Sequence, residues 1–250
     1  MPQHDHRHIQ LLEELSLNAW PALQTVVYDG WLLRFAGGMS RRANSVQVLY
    51  PSSRPLDEKI DFCETHYERA GLPTAFKLTE AAPAGLDERL AQRGYRREGE
   101  ISVQTLSLKG RSFEPSELAT VLEQPESAWI DEFCRLNHER AAFAGILART
   151  LELIAVQAAF VALARNGRVE AVGIAVVERE YVGLFGLAVD ERVRRQGLGT
   201  ALVETCLSFG QLQGAQYAYL QVMASNVPAL SLYQRFGFKE TYRYWYRLKG

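Results

Sequence analysis

Residues 183–200 read GLFGLAVDERVRRQGLGT, and the fold of the whole chain hangs on this stretch. The apolar run Leu184 to Val189 predicts a buried strand. A charged turn follows, then Arg194-Arg195-Gln196-Gly197-Leu198-Gly199-Thr200, and Ala201-Leu202-Val203-Glu204 opens an amphipathic helix. Strand, glycine-rich basic turn and helix together build an anion site. The first helical N–H groups have no partner within the helix, and the helix dipole adds partial positive charge there. Glycines at 197 and 199 remove Cβ atoms that would keep a diphosphate away from those N–H groups, while Arg194 and Arg195 bring full charges. Taken alone, a glycine pair before a helix also fits an ordinary tight loop. Two nucleotide motifs are excluded. The P-loop ends in Gly-Lys-Ser/Thr, and the dinucleotide fingerprint needs three glycines where Arg194 to Thr200 has two.

The spacing Arg/Gln-x-x-Gly-x-Gly/Ala, met by Arg194, Gly197 and Gly199, resembles the coenzyme A pyrophosphate loop of the GNAT superfamily of N-acetyltransferases. Downstream, Asn226, Ala229, Tyr233 and Gly237-Phe238 resemble the family's closing motif, Asn-x-x-Ala-x-x-x-Tyr-x-x-x-Gly-Phe. The resemblance covers roughly residues 115–250 and implies an α/β fold: a mixed, mostly antiparallel sheet with helices on both faces. It also implies an acyltransferase that moves the acetyl group from acetyl-CoA to a primary amine of a small molecule or peptide, by direct attack on the thioester. Arg194, Arg195, Gln196, Gly197, Leu198, Gly199 and Thr200 would hold the pyrophosphate. Leu187, Ala188 and Val189 would offer backbone groups to the acetyl and pantetheine part, with Asn226 and Tyr233 completing the coenzyme site.

Tyr233 matches the family's general acid, a phenol that protonates the departing coenzyme A sulfur; a helix aromatic packed in the core is the alternative. Asn226 serves the site, caps a helix, or does both. Glu178, at the end of the strand paired with the cofactor strand, is the positional candidate for the general base, against a solvated hairpin carboxylate. His138 and Glu139 lie where the family often meets its acceptor. A larger acyl-CoA and a non-catalytic acyl-CoA sensor or scaffold are the competing functions. The presence of both Tyr233 and Asn226 counts against the sensor.

The 250 residues are 47% hydrophobic and 23% charged, an ordinary globular composition. A formal net charge of −1 argues against broad nucleic-acid or anionic-membrane binding. The polar opening MPQHDHRHIQ is no signal peptide, and the expected location is cytoplasmic, as a monomer or homodimer. Cys63, Cys134 and Cys206 sit within predicted helices as reduced, packed thiols. His4, His6 and His8 alternate, but a mobile polar tail fits them better than a metal site, and no metal is expected.

Glycine, proline and charge at 109–117, KGRSFEPSE, predict a linker between an accessory first half, residues 1–110, and a catalytic second half, residues 115–250. The first half reads as helix 10–17, strands 31–35 and 45–50, helix 55–70, strand 74–79, helix 86–92 and strand 101–108. Arg41 and Arg42, beside the Gly37-Gly38 turn, can contact an anion or form a solvated loop, and the solvated loop fits them better. The second half reads as strand 118–122, helices 127–137 and 144–155, strands 158–164, 169–177 and 181–189, helix 198–213, strand 217–223, helix 226–235 and strand 239–248. A shift of 143 residues lays Cys63 on Cys206, Gly71 on Gly214 and Gly94 on Gly237, so the first half is expected to be a degenerate copy of the second. In that register Gly197 falls on Arg54, Gly199 on Leu56, Asn226 on Pro83 and Tyr233 on Leu90, which predicts an inactive coenzyme site in the first copy.

Overall fold

A computed structural model describes residues 6–250, the side chains of 139–141 excepted. Helix α1 (His6–Ala19) buries Ile9, Leu12, Leu15 and Ala19, whose spacing of three to four residues makes one apolar face. His6 and His8 thus belong to a helix and not to a polar tail, while His4 lies outside the described residues. Strands β1 (Gln24–Tyr28) and β2 (Trp31–Phe35) form a hairpin through Asp29-Gly30. Strand β1 is absent from the sequence-based expectation because it is a sheet edge with no apolar alternation and leaves Val27 69% exposed. The first half continues with β3 (Val46–Val48), α2 (Leu56–Arg69), β4 (Thr74–Thr79), α3 (Leu86–Gln92) and β5 (Arg96–Ser107).

The second half runs β6 (Ala119–Leu122), α4 (Ser127–Leu136), a 3-10 segment (His138–Phe143), α5 (Ala144–Glu152), β7 (Gln157–Arg165), β8 (Arg168–Glu178) and β9 (Tyr181–Val189). After a second short 3-10 segment come α6 (Leu198–Leu212), β10 (Tyr217–Met223), α7 (Val227–Phe236) and β11 (Lys239–Lys249). The strands of the described residues make one sheet in the order β1-β2-β3-β4-β11-β5-β10-β9-β8-β7-β6.

Within it β3–β4 and β9–β10 are parallel, and the other pairings are antiparallel. The same run of α2, β4, α3, β5 recurs as α6, β10, α7, β11, in the 143-residue register. The last strands of the two runs are exchanged. β5 lies against β10, and β11 lies against β4, with β5 and β11 paired to each other at the centre. This pairing explains why β5 begins at Arg96, earlier than its apolar pattern does: the charged stretch Arg96 to Glu100 hydrogen-bonds to β11 from Trp245 to Leu248.

Residues 109–117 hold no helix or strand, but by then the first half has already placed β5 within the second half's sheet. Further ties cross between the halves. Asp87 on α3 accepts from Arg247 at 2.8 and 2.9 Å and from the Trp245 indole at 2.8 Å. Glu13 on α1 takes Lys77 and the Tyr242 hydroxyl, each at 2.5 Å, so both its oxygens are satisfied in the interior.

Around the second half, α1, α4 and α5 cover one sheet face over Phe160, Phe185 and Tyr219. Helices α6 and α7 cover the other over Leu202, Cys206, Leu220 and Phe238. The three cysteines are free and buried.

Candidate functional site

Strands β9 and β10 start as parallel neighbours and then separate. Their pairing runs from Tyr181↔Tyr217 to Leu184↔Leu220 and stops, although β9 continues to Val189 and β10 to Met223. The cause is local. Between Phe185↔Ile174 and Ala188↔Val172 the β8–β9 register slips, with Gly186 at φ +58°. A Cβ on Gly186 would also lie 2.5 Å from the Phe133 ring. A glycine within an apolar strand is a sequence signal for a bulge, and of the two in β9, Gly183 and Gly186, it is Gly186 that takes the positive φ. Leu187, Ala188 and Val189 therefore line a wedge-shaped opening with one backbone edge unpaired by β10, and all three are partly exposed.

The turn after β9 is built on Asp190, 7% exposed. It accepts from the Arg192 backbone N–H at 3.1 Å and from the side chains of Arg192, Arg168 and Arg135 at 2.8, 3.1 and 3.2 Å. From there the chain enters α6 through Arg195 (φ +65°) and Gly197 (φ +85°), two left-handed residues. The first N–H beyond the turn to find a helical partner is that of Ala201, on the Gly197 carbonyl at 3.0 Å. Among the described residues, the backbone N–H groups from 195 to 200 bond to no backbone carbonyl. A row of N–H groups at the start of a fifteen-residue helix can take an anion.

Apart from the adjoining chain, no described atom lies within 4 Å of where a Gly197 Cβ would stand. A Cβ on Gly199 would stand 3.3 Å from Leu232 and 3.9 Å from Val189, so the loop, the strand end and α7 converge at that point. Leu198 is buried, and Thr200 is partly exposed in the first turn of α6. Arg194 is paired with Glu191 at 2.9 Å, Gln196 accepts from Arg165 at 2.9 Å, and Arg195 is exposed.

At the start of α7, Asn226 caps the helix by accepting from the Ala229 N–H at 3.3 Å. Tyr233 follows two turns later, 8% exposed and edge-on to Phe238 at 5.9 Å. Burial pushes its phenol up to about 12, so it stays protonated at neutral pH.

Glu178 is elsewhere. It pairs with Tyr181 at the hairpin end of β8–β9, whereas Val172 is the β8 residue opposite Ala188. Six residues of strand separate the two positions, about 20 Å at the ~3.3 Å rise of a strand. Its carboxylate takes both hydrogen bonds from Asn18, at 3.1 Å. The register thus puts Glu178 at the hairpin end of β8, away from the end at which β9 and β10 separate. A cavity of about 700 Å³, with Asn18, Arg34, Tyr50 and Arg179 in its wall, likewise lies toward this hairpin end. His138 opens the 3-10 segment after α4, and the Glu139 side chain lies outside the described residues.

The matching segment of the first half is closed by the chain itself. Ser53 and Arg54, which fall on Gln196 and Gly197 in the repeat, give their N–H groups to the Asp29 carboxylate at 3.0 and 2.9 Å. The Ser53 hydroxyl and Lys59 also bind Asp29, at 3.0 and 3.1 Å. These contacts, the Arg54 N–H foremost, hold the Asp29 carboxyl well below the usual carboxylate range. Where the second half leaves N–H groups open, the first fills them with an internal anion.

The family model described as "Probable histone acetyltransferase Rv0428c C-terminal" matches residues 7–247. The chain is 32% identical over 245 residues to the uncharacterized N-acetyltransferase YobR of Bacillus subtilis, covering 96% of this chain and 98% of that protein. A shorter match, 40% over 78 residues, links 31% of this chain to 53% of the ribosomal protein bS18-alanine N-acetyltransferase of Escherichia coli. Among solved structures, a GCN5-related N-acetyltransferase from Kribbella flavida has TM-score 0.67 at 14% identity, over 98% of this chain and 95% of that one. A tandem GNAT protein from the clavulanic acid pathway has TM-score 0.65 at 12% identity, over 96% and 88%. The opened strand pair, the unpaired N–H groups at the start of α6 and these relatives agree, and the chain belongs to the Rv0428c C-terminal family as a GNAT-type N-acetyltransferase.

Proposed function

We propose that the protein transfers the acetyl group of acetyl-CoA to a primary amine of a small molecule or peptide by direct attack on the thioester. One observation carries this proposal: the N–H groups from 195 to 200 stand open at the start of α6, beside the wedge between β9 and β10. The pyrophosphate of the coenzyme belongs on those N–H groups, with the exposed Arg195 adding charge. The free backbone edge of Leu187, Ala188 and Val189 then takes the pantetheine amides as a neighbouring strand would. The thioester comes to rest near Gly186 and within reach of α7.

The amine nitrogen attacks the thioester carbon, the tetrahedral oxyanion collapses, and the C–S bond breaks. The departing sulfur takes the proton of Tyr233, a group that burial keeps protonated for this purpose. The attacking amine loses its proton to solvent or to a group other than Glu178, which lies about six strand residues away.

Titration calorimetry with acetyl-CoA tests the coenzyme site. One equivalent is expected to bind to the intact protein. Gly197→Glu should abolish binding, since it sets a carboxylate where the diphosphate belongs and replaces a residue at φ +85°. Absence of binding by the intact protein, or undiminished binding by the variant, would overturn the assignment.

A further inference from the structure

Arg42 belongs to the first half of the chain but stands over the second half's sheet, on the face opposite α6 and α7. Its guanidinium carbon is 5.6 Å from the centre of the Phe185 ring and 5.7 Å from that of Trp20. Phe185 immediately precedes Gly186, where β9 leaves β10. Its charge is also felt by the phenols of Tyr219 on β10 and Tyr246 on β11.

This arginine is not in an ion pair with any described carboxylate. Its neighbour Arg41 pairs with Glu98 at 2.5 Å, Glu13 is engaged by Lys77, and Glu178 by Asn18. The Arg42 Nε–H is buried and has no hydrogen-bond partner, while the residue as a whole is partly exposed. The buried Nε–H is closed to an outside group, but among the described residues no hydrogen bond engages the two terminal amino groups of this partly exposed side chain, and they can receive an acceptor arriving from outside.

Its position is fixed from behind. The buried Arg34 donates to the Arg42 carbonyl at 2.8 Å, to the Leu17 carbonyl at 3.3 Å and to the Trp20 carbonyl, so one side chain ties down the backbone of Arg42 and of its aromatic neighbour. Asn44 holds the preceding loop, accepting from the N–H groups of Ala36 and Gly38 at 2.7 and 2.9 Å and donating to the Ser40 carbonyl at 2.7 Å. The same loop rests on α5, where a Cβ on Gly37 would meet Ile146 at 2.6 Å.

From this arrangement we propose that Arg42 binds a carboxylate of the amine acceptor, so that the substrate class is an amine bearing its own carboxylate, such as a free amino acid. The planar fork of a guanidinium suits a carboxylate in two-point contact. Its place on the face opposite α6 and α7 lets the amine approach the thioester from the side away from the coenzyme. The inference rests on the acetyltransferase function proposed above.

The test is acetyl transfer, followed by release of free thiol, to a panel of free amino acids and to the amide of each. The wild type should use at least one free amino acid with kcat/KM tenfold or more above its amide. Arg42→Gln should erase that preference through KM for the acid, and Arg42→Lys should retain part of it. Arg41→Gln should leave the preference intact. Calorimetry with acetyl-CoA on each variant, together with its thermal midpoint, reports whether the fold survives. Equal use of acids and amides, transfer to amides alone, a preference that survives in Arg42→Gln, or acetyl-CoA binding without transfer to any free amino acid would overturn the role of Arg42 while leaving the coenzyme site standing. Failure of the wild type to bind acetyl-CoA would remove both proposals.

Discussion

Tyr233 and Glu178 show how differently two plausible acid–base residues fare once strand register is known. Tyr233 sits on α7 next in sequence to Leu232, the residue that meets Gly199, with its proton retained by burial. Glu178 faces Asn18 at the far end of the sheet. Under the proposed mechanism, Tyr233→Phe should lower kcat about 10²-fold or more, the range usual for a lost general acid, with acetyl-CoA affinity little changed. Glu178→Gln should keep kcat within about twofold, because a group one strand length away makes no contact in the transition state. Steady-state rates and calorimetry on the two variants check both statements. A Tyr233→Phe enzyme with normal turnover would return Tyr233 to the status of a core aromatic.

At the scale of the element, the two strand–loop–helix units differ in what occupies the helix start. The α6 unit presents open N–H groups, and the α2 unit presents N–H groups filled by Asp29. The Asp29 carboxyl is depressed in the folded protein, so its contribution to stability is complete above its unfolded pKa of about 4 and fades as pH falls below it. Wild-type urea midpoints should therefore drop more steeply between pH 6 and pH 3 than those of Asp29→Asn, which lacks that titration. Parallel pH dependences would show that the Asp29 contacts contribute nothing to folding.

At the scale of the molecule, the exchanged strands β5 and β11 make the halves interdependent. Neither half has a complete sheet of its own, since β10 needs β5 and β4 needs β11. The buried Glu13–Lys77–Tyr242 cluster and the Asp87–Arg247 pair add ties that cross the same seam. Thermal unfolding should be one transition, with calorimetric and van't Hoff enthalpies in agreement. Two resolved transitions would mean that the seam is weaker than its strand pairing implies.

By itself the sequence determined the local units: most helices and strands, the glycine-rich turn at the start of α6, the Asn226–Tyr233–Gly237 series and the 143-residue repeat. Periodicity, turn residues and motif spacing act over a few residues, so they can be read along the chain. Tertiary structure alone decided which end of β9 opens, which half receives β5 and β11, and where Arg42 and Asp29 lie. Strand partners and register depend on contacts between residues far apart in sequence, and local patterning carries no record of them. Arg42 read as a solvated loop residue for that reason: the rings that enclose it come from Trp20 and from Phe185, more than half the chain away.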